Sequence, residues 1–583
     1  MILLKYMAET EKLHNLRHSL AHLLAAAVLE IYPDTKNTIG PSIEDGFYYD
    51  FDFKNPISDK DLPKIEKKMK DILKSWKGFS SQEKTIKEAK EHFKKNEYKI
   101  ELIDEIVGKK EKITFYTCGK FADLCRGGHL ENPSKEIKPD SFKLDRMAGA
   151  YWRGDEKNKM LTRIYGLAFE TKEKLEEYIK MREEAEKRDH KKLGKELGLL
   201  MFHETAPGMP YWLPKGLILY KELENYWREK HVELGYLEIA SPLVNKAELW
   251  KISGHWEHYK DDMFIADMGE NEVYGIKPMN CPNAMIVFKS MQVSYKDLPL
   301  RFSDTDRLHR YERSGVLNGL FRCRSFQQDD SHNFITEEMI ENEYEEIMKI
   351  CKEFYGIFDL KYKFRLGTRP EGFLGDIETW NKAEKVLRGV LKKSGKEYTV
   401  AEGDGAFYGP KIDIIMKDAI GREWQMGTMQ LDFQQPHRFD LEYTDKDGKK
   451  KTPVVIHRVI YGSLERFIGI LIEHYAGAFP LWLSPIQVRV IPISGDKHLD
   501  YADKIFKSLK ENNIRAELDE SNESLSKKIR NAKMEKIPYL VIIGDKEKES
   551  EKLTVEGRNN EKIENIASEE FIVKLKKEIE EKK

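Results

Sequence analysis

The sequence predicts a multidomain protein of mixed α+β and α/β class. It reads as an N-terminal α+β domain (1–168), a charged helical linker (169–197), a central domain with a largely antiparallel sheet and flanking helices (198–485), and a C-terminal α/β domain (486–583). Three observations carry this reading. A length of 583 residues, at about 100–200 residues per domain, allows roughly three to five separate cores. The stretch EKLEEYIKMREEAEKRDHKKLGKEL is almost unbroken charge and separates two apolar-patterned regions. Strand-like alternation dominates before residue 485, whereas strands alternate with helices after it.

The elements follow in order. Leu16, Leu20, Leu23, Leu24, Ala27, Val28 and Ile31 recur at helical spacing, and the helix ends before Pro33. In the linker, Glu and Lys at i,i+4 spacing predict one exposed connecting helix. The central domain alternates at 411–416 and 454–460, which predicts strands, with helices over 221–234 and 337–354. Ser484-Pro485 closes it. Beyond lie a strand at 488–493, helices at 500–512 and 524–536, and a strand at 539–543.

Composition excludes several classes. At 40% hydrophobic and 11% aromatic residues the chain is not disordered, and five Cys are too few for a disulfide scaffold. Their odd number and wide spacing point to a reducing, cytoplasmic compartment. The longest apolar run, near 20–29, contains a histidine and is too short to span a bilayer, so no membrane partner is expected. Glu9 and Glu11 follow the apolar 2–4 run too soon for a secretory signal. Lys and Arg total 99 against 101 Asp and Glu, a net charge of -2. That excludes a uniformly basic coat for nucleic acid but leaves room for a local basic face.

Three segments carry the chemistry. The first is LENYWREKHVELGYLEIASPLV, read as a helix and then a strand ending at Pro242. The second, RFSDTDRLHRYERSG continuing into VLNGLFRCRSFQQDDSH, places Arg310, Glu312 and Arg322 around a Gly-containing loop between two strands. Arginine at this density suits phosphate oxygens, because its planar fork donates two parallel hydrogen bonds. The third, HRVIYGSLERFIGILIEH, has Gly462 and Arg466 opening an apolar helix. No Walker A sequence or Rossmann glycine fingerprint is present.

In this order the three segments resemble the signature motifs of class II aminoacyl-tRNA synthetases. KPMNCPNAM, QQDDSHNF and VIHRVIYGSLERF resemble the threonyl-tRNA synthetase family in particular, over essentially the whole chain. The resemblance implies a class II antiparallel-sheet catalytic domain at 198–485, an editing domain at 1–168 and an anticodon-binding domain at 486–583. The implied reaction joins threonine to tRNA(Thr) through threonyl-adenylate, using ATP with Mg²⁺. The implied assembly is a homodimer formed through the segment ending at Pro242. Arg310 would then hold the α-phosphate and the threonine carboxylate, Glu312 would read the adenine amino group and Phe326 would stack on the ring. Arg466 would hold the γ-phosphate, with Arg322 nearby.

Cys281, His332 and His457 are too far apart for any local metal motif; the resemblance alone marks them as ligands of one Zn²⁺ per subunit. Physical reasoning makes a metal sensible. Threonine and valine are nearly isosteric, and an apolar pocket separates such pairs by only roughly 10²-fold. A zinc ion that binds both the amino nitrogen and the hydroxyl rejects valine. Asp330 would accept the hydroxyl hydrogen bond, and Gln328, Tyr408, Lys411 and Gln430 would line the pocket. His255 would aid proton transfer near the terminal ribose.

Serine passes a hydroxyl test and lacks only a methyl group, worth roughly 1–3 kcal/mol, so a second hydrolytic site is expected. His18 and His22 sit four apart and share a helix face, and YTCGKFADLCRGGH supplies Cys125 and His129. The resemblance implies that these four hydrolyse seryl-tRNA(Thr) without bound metal, aided by Asp123 and Lys99, although the residue types would also suit zinc. Family members normally carry a small ubiquitin-like domain ahead of this one. The reading expects it to be missing, because the His18 helix begins almost at once. In the C-terminal domain Lys527, Lys528, Arg530, Lys533 and Lys536 cluster in one predicted helix, suited to a phosphate backbone. Asn522, Glu549 and Arg558 would read anticodon bases.

Overall fold

A computed structural model describes residues 2–269, 272–418, 421–559 and 561–583, with only the backbone described at 2–10. The chain forms two compact units, Met1–Glu183 and Glu184–Lys583.

In the first unit the long helix α1 (Ile2–Ile31) buries Leu16, Leu20, Leu23, Leu24, Ala27 and Val28. It packs on a five-stranded antiparallel sheet that includes β1 (Gly46–Asp52). Helices α2 (Leu62–Leu73) and α3 (Glu97–Gly108) follow. The hairpin β2 (Thr114–Cys118) and β3 (Phe121–Leu124) belongs to a separate three-stranded sheet. Strands β4 (Phe142–Tyr151) and β5 (Met160–Ala168) complete the larger sheet in the order β1-β5-β4.

The charged segment is not the single solvated helix that its composition predicts. Helix α4 (Lys172–Arg188) is mostly exposed and buries only Leu175. The chain then breaks at Asp189, whose side chain accepts the Lys191 N–H at 2.7 Å and caps a new helix, α5 (His190–Glu196). Helix α5 buries His190, Leu193 and Gly194 in the second unit. Two apolar residues and one histidine outweigh the surrounding lysines, which snorkel outward.

The second unit is built on an eight-stranded sheet. Helix α6 (Pro214–Glu233) leads into β6 (Leu237–Glu238), and α7 (Cys281–Lys289) precedes β7 (Leu300–Asp304). The short strand β8 (Ser325–Gln327) lies outside this sheet; β9 (Asp330–Ile335) lies within it. Strands β10 (Tyr362–Gly367), β11 (Tyr398–Ala401), β12 (Lys411–Lys417), β13 (Glu423–Asp432) and β14 (Val454–Val459) complete it, and α9 (Leu464–His474) follows, with α8 (Ile340–Gly356) packed on the core. The strand order is β6-β7-β9-β14-β13-β12-β10-β11, antiparallel except at the β6·β7 and β10·β11 pairs. Every residue of β9 and β14 is buried, which marks them as the centre of the layer. The strand expected to run to Pro242 stops at Glu238. Ile239 still donates to the Ser303 carbonyl at 2.8 Å, but Ser241 turns its N–H and hydroxyl onto Asp306 at 2.7 and 2.9 Å, and proline has no N–H to extend the ladder.

The C-terminal part, also in the second unit, is an α/β layer. Its elements are β15 (Val488–Pro492), α10 (Gly495–Glu511), β16 (Ala516–Leu518), α11 (Leu525–Met534), β17 (Tyr539–Ile543), α12 (Asp545–Ser550), β18 (Leu553–Gly557) and β19 (Lys562–Ile566). The sheet order is β16-β15-β17-β18-β19, parallel among the first three strands and antiparallel after them.

Candidate functional site

Register builds the central site. Phe302, His332, His457, Gln430 and Lys411 are direct cross-strand partners over β7, β9, β14, β13 and β12, so they form one row across the sheet. Opposite residues share a face, as do positions two residues along. Over this face lies a cleft of about 450 Å³ lined by Gln328, Asp330, Tyr408 and Gln430 on one side and by Arg310, Glu312, Arg322, Phe326 and Arg466 on the other. Cys281, His332 and His457 line it as well.

One donor atom from each of these last three lies within 4.8 Å of the other two, in a wholly buried setting. Cys281 opens α7, and the rings of His332 and His457 meet edge to face at 5.0 Å. His457 Nε2 sits 2.8 Å from the Asp432 carboxylate, so Nδ1 is the nitrogen left for a ligand. Buried His332 Nδ1 has no hydrogen-bond partner among the described residues. An orphaned ring nitrogen, a histidine oriented by a carboxylate and a buried thiol fit a zinc ion with a coordination position left open. Burial pushes the Cys281 thiol well above its ordinary value, so metal binding must expel its proton.

At the other end, Arg466 Nε donates to the Phe321 carbonyl at 2.8 Å and Nη1 to the Gln425 carbonyl at 2.6 Å. These bonds fix the plane of the fork and use two of its five donors. Burial draws this guanidinium down to about 10, with Arg322 and Arg310 adding repulsion. Arg310 donates to the Pro278 carbonyl at 3.2 Å and lies 5.0 Å over the Phe326 ring. On the side facing β9, Asn280 donates to Asp330 at 3.2 Å, and the Tyr408 hydroxyl donates to Gln430 Oε1 at 2.5 Å.

Two expected members lie outside the cleft lining. Lys411 starts on the central row, but its ammonium turns to Asp413 at 3.1 Å and Asp404 at 3.4 Å. Buried Asp413 needs compensation, and that demand wins. His255 is fully buried, with Nδ1 2.7 Å from the Ser253 hydroxyl and its ring against Phe407, which lines the cleft. Burial lowers it to about 3, and its Nε2 has no hydrogen-bond partner among the described residues.

Sequence reasoning missed Asn280, Asp432 and Asp329. The Asp329 carboxylate accepts the N–H groups of Ile460, Tyr461 and Gly462 at 2.9–3.0 Å and so anchors the entry to α9. The Asp329-Asp330 pair was a usable signal, because adjacent strand residues face opposite sides.

The first unit assembles the second expected cluster. His18, His22, Cys125 and His129 each offer a ligand atom within 4.8 Å of the others. Cys125 Sγ is 3.5 Å from His18 Nε2 and 3.2 Å from His129 Nε2, while His18 Nδ1 donates to the Gly128 carbonyl at 3.1 Å. His22 Nδ1 and His129 Nδ1 are buried without partners among the described residues. Burial lowers all three histidines, His129 to about 2, and raises the Cys125 thiol to about 11. Lys99 and Asp123 pair at 2.5 Å, almost fully buried, and Asp123 also accepts from Tyr49 and Asn37.

The expected anticodon readers are not brought together. Asn522 follows β16 and Glu549 lies in α12 after β17, both beyond the carboxyl ends of parallel strands. Arg558 follows antiparallel β18 and bonds to the Pro538 carbonyl, at the opposite end of the sheet. Its guanidinium is engaged with the Phe479 carbonyl at 2.6 Å. The antiparallel return of β18 is what separates it.

Comparisons with known proteins give the family of each part of the chain. Residues 264–475 match the family model "tRNA synthetase class II core domain (G, H, P, S and T)". Residues 487–578 match "Anticodon binding domain", and 113–165 match "Threonyl and Alanyl tRNA synthetase second additional domain". The chain is 51% identical over 571 residues to the threonine–tRNA ligase of Thermotoga neapolitana, covering 97% of this chain and 88% of that one. It is 52% identical over 569 residues to that of Clostridium botulinum strain Langeland, covering 97% and 89%. Among solved structures it is similar to the RNA binding domain of threonyl-tRNA synthetase from Cryptosporidium parvum, with a TM-score of 0.65 and 39% identity over 67% of this chain and 98% of that one.

Proposed function

The chain belongs to the threonine–tRNA ligase family, whose members use ATP and Mg²⁺ to join threonine to tRNA, and on that premise we propose how its residues divide the work. Cys281, His332 and His457 hold one zinc per chain, with Asp432 orienting His457. When bound, the metal supplies a Lewis-acid position for the amino and hydroxyl groups of the substrate. Asp330, steadied by Asn280, accepts the hydroxyl proton, and Gln328, Tyr408 and Gln430 shape the pocket. Valine offers no hydroxyl and is refused.

Arg310 holds the threonine carboxylate against the α-phosphate, Glu312 and Phe326 hold the adenine, and Arg322 and Arg466 take the outer phosphates. The carboxylate oxygen bonds to the α-phosphorus as the bond to pyrophosphate breaks. Charge accumulates on phosphate oxygens, so fixed guanidinium forks contribute more than a general base. In the transfer to tRNA, the ribose oxygen bonds to the threonyl carbonyl carbon as the bond to AMP breaks, and His255 Nε2 takes the ribose proton. The set His18, His22, Cys125 and His129, backed by Lys99 and Asp123, positions water to hydrolyse seryl-tRNA without metal. Asn522, Glu549 and the basic helix α11 face the anticodon; Arg558 stays outside this set. The exposed apolar residues Leu237, Leu243 and Val244 support a homodimer through this segment, and the free cysteines support a cytoplasmic location.

One observation carries the reading: donors from 281, 332 and 457 converge on the cleft that also holds Arg310 and Arg466. Amino-acid-dependent ATP–pyrophosphate exchange tests it. Threonine should support strong exchange, serine measurable exchange and valine almost none. Full threonine activation by zinc-free protein would contradict the reading.

A further inference from the structure

His190 opens α5 and is 1% exposed. Its Nδ1–H donates to Glu473 Oε1 at 2.8 Å, and the same oxygen accepts its backbone N–H at 3.4 Å. The other ring nitrogen therefore carries a lone pair, which accepts the Leu320 N–H at 3.1 Å. Asp189, His190 and Glu473 are spaced like metal ligands, but both ring nitrogens of His190 are already engaged. The ring also packs 4.2 Å from Phe321, whose carbonyl holds Arg466 Nε. Leu320, Phe321 and Arg322 all line the cleft.

The approach is close enough to require glycine. Gly319 has φ +52°, and a Cβ there would lie 2.4 Å from His190 Nε2 and 2.7 Å from Lys191 Cγ. A second tie runs from Lys191 Nζ to Asn318 Oδ1 at 3.3 Å.

We infer that His190 is a positioning residue of the nucleotide end of the cleft. From the second helix of the charged segment it anchors the loop 318–322, which presents Arg322 and supplies the carbonyl that aims Arg466. Fixing two guanidinium groups before ATP arrives lowers the reorganisation needed as charge shifts to pyrophosphate. The donors on the threonine side come from α7, β9 and β14 and, among the described residues, make no hydrogen bond to this loop, so the effect is confined to the nucleotide. The inference rests on the assignment of Arg322 and Arg466 to ATP.

The test is steady-state ATP–pyrophosphate exchange with the full chain. His190→Ala leaves the Leu320 N–H unpaired and should raise KM for ATP about tenfold, with KM for threonine and zinc content unchanged. In His190→Gln the amide oxygen reaches the position of Nε2 and should restore KM for ATP. His190→Asn reaches only the position of Nδ1 and should behave like His190→Ala. Gly319→Ala, which pushes the loop off the ring, should also raise KM for ATP alone. An unchanged KM for ATP in His190→Ala and Gly319→Ala, an equal rise in both KM values, or rescue by Asn as good as by Gln would overturn the inference. Arg466→Lys is the control. If it loses exchange while His190→Ala does not, the inference alone fails; if Arg466→Lys has the parent's KM for ATP, the nucleotide reading fails and this inference with it.

Discussion

The molecule contains two clusters of cysteine and histidine, each with its donor atoms within 4.8 Å of one another, in different surroundings. In the second unit, His457 is braced by Asp432, and its row partner His332 sits on a strand buried on both faces. In the first unit, among the described residues, no carboxylate is hydrogen-bonded to a histidine of the cluster. His18 leans on a backbone carbonyl, His129 stacks on Phe79 at 3.9 Å, and the Nε2 atoms of His18 and His129 turn toward the Cys125 thiol. The lesson is that donor types and spacing do not decide the chemistry. An outer carboxylate raises imidazole basicity and fixes the metal-binding nitrogen, and among the described residues only the Cys281 cluster has that brace.

The largest effect should come from removing a donor. Cys281→Ser should abolish threonine-dependent exchange, whereas Cys125→Ser should leave it near parental; equal losses would erase the distinction. The converse change, His18→Ala with His22→Ala, should leave threonine charging nearly intact while preformed seryl-tRNA survives that the parent protein hydrolyses. Equal decay of seryl-tRNA with both proteins would remove the hydrolytic assignment. Asp432→Asn should weaken zinc binding by about 10–100-fold without unfolding the sheet, measured by competition with a chelator. Zinc affinity unchanged in that variant would show that the brace does not matter.

The smallest effect is on pH dependence. His18, His22 and His129 are held below their ordinary value in the folded unit, chiefly by burial. The unfolded chain therefore binds protons that the folded unit refuses, and stability must fall as pH drops below the unfolded value near 6.5. Each such histidine adds a slope of up to about 1.4 kcal/mol per pH unit, continuing toward the folded value. Denaturant melts between pH 7 and 5 should show His129→Phe less sensitive to acid than the parent. Identical slopes would mean that the ring is not held neutral.

Much of this was legible in the sequence because it was local. His18 with His22, and Cys125 with His129, are each four apart, and Arg310 and Arg322 lie on one hairpin. Element types followed from periodicity, and 539–543 matched the strand Tyr539–Ile543. What stayed hidden depended on long-range register. No local pattern says that His332 will stand opposite His457, that Asp432 will brace it, or that Lys411 will be drawn to Asp413. The charge of 169–197 concealed His190, because one buried ring among lysines leaves no periodic trace. That Arg558 lies at the other end of the sheet from Asn522 was hidden because the direction of β18 is a property of the sheet rather than of its own residues.

The most direct measurement is the zinc content of three purified proteins: the parent, Cys281→Ser and Cys125→Ser. The account predicts about one zinc per chain in the parent and in Cys125→Ser, and none in Cys281→Ser, as expected for a single three-ligand site. Zinc retained by Cys281→Ser, or a second equivalent lost from Cys125→Ser, would contradict it.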